Sequence, residues 1–135
     1  MNPLPTIERL SKEALKKMLA GQVREPATCV IKFYSNTCPM CHALKEYYLQ
    51  VASDYKAPTE EGEQENNPSL HFFAFNIADY PEAQSALDFS GVPTIIMIKT
   101  SKSRPKIRVL GDPEEPNKNT WYTTKQIKEF INKEL

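Results

Sequence analysis

Two cysteines three positions apart, Cys38 and Cys41, close the stretch Phe33-Tyr34-Ser35-Asn36-Thr37-Cys38-Pro39-Met40-Cys41. Side chains at that spacing at a helix start can meet in one disulfide ring. A sulfur at the N-terminal edge faces unpaired amide hydrogens and the positive end of the helix dipole. Both favour thiolate over thiol, so Cys38 is expected to titrate below the free value of about 8.5. Each unit of that fall favours the reduced form by ~1.4 kcal/mol and makes the disulfide a better oxidant. Cys41, one turn in, is expected to be more buried and nearer its ordinary pKa. The chemistry these positions can do is thiol–disulfide exchange, with Cys38 attacking a partner disulfide and Cys41 resolving the mixed disulfide.

The flanking residues supply the elements that must hold the pair. Ala27 to Tyr34 is nearly continuous in apolar character and rich in β-branched and aromatic residues, the pattern of a central strand covered on both faces. Ser-Asn-Thr then breaks the run. Pro39 suits the first turn of a helix, where its missing amide hydrogen costs nothing. Leu44, Tyr47, Tyr48, Val51, Ala52 and Tyr55 follow at three-four spacing, predicting a helix from about Cys38 to Tyr55.

The rest of the chain alternates in the same way. Thr6 to Leu10 reads as a short edge strand, and Ser11 as the cap of a helix that buries Ala14, Leu15, Met18 and Leu19 and stops at Gly21. Lys56 to Ser69 holds four glutamates and no periodicity, and reads as a solvated loop. Leu70 to Ile77 is the next strand. Asp79 or Tyr80 is expected to cap a third helix with Pro81 at its first position, burying Ala83, Ala86 and Leu87. Thr94 to Ile98 and Lys106 to Leu110 predict a hairpin, Gly111 to Tyr122 an irregular stretch, and Thr124 to Lys133 a last helix burying Ile127, Phe130 and Ile131. The order β-α-β-α-β, then β-β-α, gives a partly parallel sheet with antiparallel strands added and helices on both faces.

Composition sets the limits. At 135 residues the chain reads as one domain, 1–135, able to bury its own core. Seventeen basic and seventeen acidic residues cancel, so no long-range field favours nucleic acid or anionic lipid. No run of about 18 apolar residues offers a membrane span. Met1 to Lys12 lacks the apolar stretch of a secretory signal, and three cysteines are too few for a disulfide framework. The expectation is a cytoplasmic monomer, although a chain trimmed of its signal would read the same way.

The chain resembles the thioredoxin superfamily from about Thr6 to Leu135. Cys38-Pro39-Met40-Cys41 corresponds to the redox motif, and Gly91-Val92-Pro93-Thr94 resembles the loop whose cis-proline, here Pro93, packs opposite the cysteines. Asn76-Ile77-Ala78-Asp79 and Lys125-Gln126-Ile127-Lys128-Glu129-Phe130 also follow the family pattern. The resemblance implies a thioredoxin fold with a central mixed five-stranded sheet. It implies a protein-disulfide oxidoreductase with Cys38, Cys41 and Pro93 at the reacting centre. Thr37, Pro39, Met40, Val92 and Thr94 become the substrate-contacting positions, with the backbone of Val92 pairing with an extended client. The implied partners are disulfide-bearing proteins and a reductase or dithiol donor. No cofactor is needed, since the disulfide carries both electrons. A redox-inactive module that holds a client in the groove around Val92 and Thr94 is the alternative.

Several positions depart from the family pattern. Thr37 stands where tryptophan usually precedes the first cysteine. The buried acid six residues before that cysteine corresponds to Lys32, and the lysine that often partners it to Ala74. Buried near the pair, Lys32 would favour a thiolate at Cys41 or titrate low itself; otherwise it reaches solvent. His42 reads as a partly exposed first-turn residue or a modulator of the thiolate. Cys38-x-x-Cys41-His42 also spells a haem-attachment sequence, but that chemistry needs an exported chain and a further axial ligand. Zinc needs two more ligands, and Cys29 and His71, both in predicted strands, would have to converge. An iron–sulfur cluster across a dimer is conceivable for Cys-Pro-x-Cys, though no glutathione-binding pattern accompanies it. The expectation is no metal, with Cys29 a buried, inert side chain.

Overall fold

The computed structural model describes residues 7–56, 70–111, 113 and 121–135. The elements run β1 (Glu8–Arg9), α1 (Lys12–Leu19), β2 (Thr28–Tyr34), α2 (Pro39–Lys56), β3 (Leu70–Asn76), a 3-10 turn (Ile77–Asp79), α3 (Ala83–Ala86), β4 (Thr94–Lys99), β5 (Lys106–Leu110) and α4 (Thr124–Glu134). The strands form one sheet in the order β1-β3-β2-β4-β5. β1, β3 and β2 are parallel, whereas β4 runs antiparallel to β2 and β5 to β4. This is the mixed five-stranded sheet of the thioredoxin fold.

β2 is central because both of its faces are apolar. Alternate residues point to opposite sides. Cys29, Ile31 and Phe33 join Leu15 of α1, Ala83 and Leu87 in one core layer, and Val30 joins Leu44, Tyr48 and Val51 of α2 with Ile127 and Ile131 of α4 in the other. Helices therefore cover both faces. The row Val30–Lys32–Tyr34 has a lysine where an apolar residue belongs, and Lys32 is only 6% exposed.

Local chemistry sets the element ends. The Ser11 hydroxyl accepts from the Ala14 amide and caps α1, and Gly21, at φ +73°, ends that helix in a conformation glycine adopts freely. Thr123 and Gln126 form a reciprocal capping box at the start of α4. Asn76 caps the 3-10 turn through its side-chain oxygen.

Three expectations are corrected. β1 is two residues long rather than five, because it lies at an edge with β3 as its single partner and Ser11 turns the chain into α1. The third helix does not begin at Pro81. It begins at Ala83 after Glu82 and lasts one turn, because Tyr80–Pro81 favours extended backbone before the proline and Asp88 takes φ +56° after Leu87. Ala86 is accordingly exposed. Tyr47 is 46% exposed rather than part of the buried stripe, since α2 packs on the sheet through Leu44, Tyr48, Val51 and Ala52. The acidic stretch 57–69 and most of 111–122 lie outside the described residues.

Candidate functional site

The strand–turn–helix run delivers both cysteines to the head of α2. Cys38 is the N-cap residue: its carbonyl accepts the first intrahelical bond, from the His42 amide at 3.2 Å, and Pro39 is the first helical residue. Cys38 and Cys41 form a disulfide with their Cα atoms 5.2 Å apart. The Cys41 amide donates to Cys38 Sγ at 3.1 Å, so the sulfur takes the place that a serine or aspartate oxygen takes in an ordinary N-cap. Once the disulfide is reduced, the same amide meets a sulfur that gains from carrying negative charge. Cys38 is partly exposed and Cys41 is 3% exposed, so a partner reaches the first sulfur and not the second.

The loop before β4 closes the other side. The Val92–Pro93 peptide bond is cis, and Cys38 Sγ lies 3.6 Å from the Val92 carbonyl oxygen. Gly91, at φ +85°, is held by a bond from its amide to Gln84 Oε1 at 3.0 Å. Thr94 is buried, and its hydroxyl donates to the Gly91 carbonyl at 2.9 Å, so its side chain faces inward and bends the loop. Around the disulfide, Thr37 and Pro39 are exposed, Met40 and Val92 half-buried, and Pro93 buried. The Asn36 side chain accepts from Asn76 Nδ2 at 3.0 Å, tying the cysteine loop to the end of β3.

On the α2 side of the sheet a cavity of about 670 Å³ adjoins Cys41. Lys32 lines it, registered between Ala74 of β3 and Ile95 of β4. The small Ala74 leaves room beside the lysine. The ammonium lies 5.3 Å from the ring centre of Tyr48 and 5.8 Å from that of Tyr34. Burial, with a smaller contribution from the charge of Lys45, lowers Lys32 to about 8. Lys32 is therefore buried along its stem, and its contact with solvent is confined to the cavity. His42 is exposed and also borders the cavity. The Tyr48 hydroxyl donates to the Phe73 carbonyl of β3 at 2.7 Å, lies 2.9 Å from the Val30 carbonyl of β2, and fixes the wall.

The thioredoxin family model matches residues 6–119. The chain belongs to the thioredoxin family. Solved structures resemble this thioredoxin-family chain at the level of fold. Chloroplastic thioredoxin z is 18% identical with a TM-score of 0.59, covering 98% of this chain and 96% of that one. The first thioredoxin domain of mouse protein disulfide-isomerase A4 is 18% identical with a TM-score of 0.64, covering 96% and 79%. The Trx4 domain of ERdj5 is 12% identical with a TM-score of 0.66, covering 95% and 94%. No curated protein matches the sequence.

The structure brings Cys38, Cys41, Val92 and Pro93 together, and sets Lys32 and His42 on the cavity behind. Cys29, buried at 2%, is registered beside the exposed His71 on β3. No cluster of three metal-ligating residues occurs among the described residues. No described helix is long and apolar enough to cross a membrane. Sequence reasoning missed Arg9 and Lys45 as neighbours of Lys32. The available signal was the parallel pairing of β1 with β3, which carries Arg9 to the level of Ala74.

Proposed function

We propose that the protein is a thiol–disulfide oxidoreductase that exchanges electrons with protein disulfides through the Cys38/Cys41 couple. One observation carries this reading: a partly exposed Cys38 sulfur at the head of α2, bonded to the Cys41 amide and facing the Val92–Pro93 loop, with Cys41 buried behind it. In the reducing direction the Cys38 thiolate attacks one sulfur of a client disulfide. The client S–S bond breaks, and its other sulfur leaves as a thiolate. Cys41, as thiolate, then attacks Cys38 Sγ, releases the second client sulfur and restores the internal disulfide. Two electrons pass to the client, and a dithiol donor or reductase returns the couple to its reduced form.

The buried Cys41 must lose its proton in the cavity that Lys32 lines. An ammonium there favours the thiolate, so Lys32 acts as a positioning charge for the resolving step. Val92 offers its backbone to an extended client, while Thr37, Pro39 and Met40 border the exposed sulfur. The donor potential decides between net reduction and net oxidation.

The test is reduction of insulin by dithiothreitol with the wild-type chain and two variants. The wild type should accelerate precipitation, Cys38→Ser should lose all turnover, and Cys41→Ser should accumulate client mixed disulfides on a non-reducing gel. No turnover by the wild type would leave a binding module that uses the same groove. Absence of mixed disulfides in Cys41→Ser would reverse the order of attack.

A further inference from the structure

We infer that the cavity beside Cys41 binds a small organic carboxylate, its anionic end between Lys32 and Lys45 and its apolar body against Ile7 and Leu49. The inference starts from charge. The chain as a whole is neutral, yet Arg9, Lys32, His42 and Lys45 all line this cavity and no aspartate or glutamate does. Arg9 is already engaged, bidentate to Asp79 at 2.8–3.1 Å. Lys32 and Lys45 have no carboxylate partner among the described residues.

Lys32 is the decisive group. It is 94% buried (6% exposed) and directed along the wall of a cavity, and its ammonium has three donors to place. The faces of Tyr34 and Tyr48 accept part of that charge, but neither replaces an anion at hydrogen-bond distance. A buried charge is costly until paired and hydrogen-bonded. Burial and the neighbouring Lys45 both lower the proton affinity of Lys32, and an anion between the two ammoniums relieves both effects.

Size and lining select the class of anion. About 670 Å³ lies in the range that encloses small organic molecules. Besides Arg9, Lys32, His42 and Lys45, the walls are Ile7, Leu49, Ala74 and the two tyrosine rings, with Ser35, Asn36 and Cys41 at the end nearest the disulfide. A compact inorganic anion leaves those apolar surfaces uncovered. It would also be served best by a planar guanidinium, and Arg9 is committed to Asp79. A carboxylate with a ring or short aliphatic body fills both kinds of wall. Val92, Pro93 and Thr94 do not line the cavity, so its ligand and an extended client occupy different faces of the disulfide.

The test uses the oxidised protein and calorimetric titration with sodium benzoate at fixed ionic strength and neutral pH. It requires no turnover, so its outcome is separate from that of the insulin assay. Saturable one-to-one binding of benzoate is expected, with methyl benzoate and inorganic phosphate each at least ~10-fold weaker. Benzoate should weaken as pH rises past about 8, where Lys32 loses its proton. The groups that share that field are Arg9 of β1, Lys32 and Tyr34 of β2, and Cys41, His42, Lys45 and Tyr48 of α2. Lys32→Met should lose binding by at least ~10-fold, and the more exposed Lys45→Gln by ~2–5-fold. Non-saturable uptake, phosphate or methyl benzoate binding as tightly as benzoate, or unchanged affinity in Lys32→Met overturns the inference. The pH series and the two competing compounds also decide the matter on the wild type alone.

Discussion

Replacing the ammonium at position 32 by a thioether should make the protein more stable. Lys32 titrates near 8 in the folded chain against 10.5 in the unfolded one. Below 8 both states are protonated and the whole cost of burying the charge is present. Between 8 and 10.5 the unfolded state binds more protons, so stability rises with pH, and above 10.5 the cost is gone. Lys32→Met should therefore raise the unfolding free energy at neutral pH by about 2–3 kcal/mol, with the advantage fading across that interval. Cys29, raised from 9.0 to about 11 by burial, pulls the other way, since its contribution is lost as pH rises through that range. Both chains carry Cys29, so the difference between their denaturant-unfolding curves isolates Lys32. An equal or lower stability for Lys32→Met at neutral pH would refute this assignment. The position itself was legible in the sequence as a lysine on a central strand, but its burial was not. The alternating row Val30–Lys32–Tyr34 names the face, whereas the space beside Ala74 depends on pairing between strands far apart in sequence.

At the scale of elements, ends matter more than interiors. Gly21 closes α1 with a positive φ, and a Cβ there would collide with the backbone carbonyl of Ser103 in the turn between β4 and β5. Gly21→Ala is expected to cost at least about 2 kcal/mol, because the left-handed strain and the collision add. At Gly111 a Cβ meets nothing within 4 Å, so Gly111→Ala should change stability by no more than about 0.5 kcal/mol. Comparable losses in the two variants, measured by chemical denaturation, would remove the structural role assigned to Gly21. The long elements were legible because their signals were local: the apolar run of β2, the three-four spacing of α2 and the Ile127, Phe130 and Ile131 stripe of α4. The third helix was misread because Pro81 suits either a first helical turn or the bend before one, and Asp88 in the left-handed region leaves no strong mark in sequence.

At the scale of the whole molecule, the site was more legible than the cavity behind it. The two cysteines and Pro93 lie on separate motifs, and β2 and β4, which bring those motifs together, are the two most completely buried strands of the sheet. The cavity draws its charges from β1, β2 and α2, and no single stretch of sequence records that convergence.

The third sulfur has a practical use that follows from its place between β3 and β4. Cys29 sits in the middle strand, sealed by α1 on its side of the sheet, and its thiol holds its proton up to about 11. After reduction, an alkylating reagent should tag Cys38 first and Cys41 as its shield loosens. The last tag waits until β2 separates from its neighbours. Its appearance, followed by mass spectrometry, is a built-in clock for opening of the sheet and should keep pace with global unfolding as denaturant is added. Three tags arriving together in the native protein would mean that the middle of the sheet is far looser than its packing suggests.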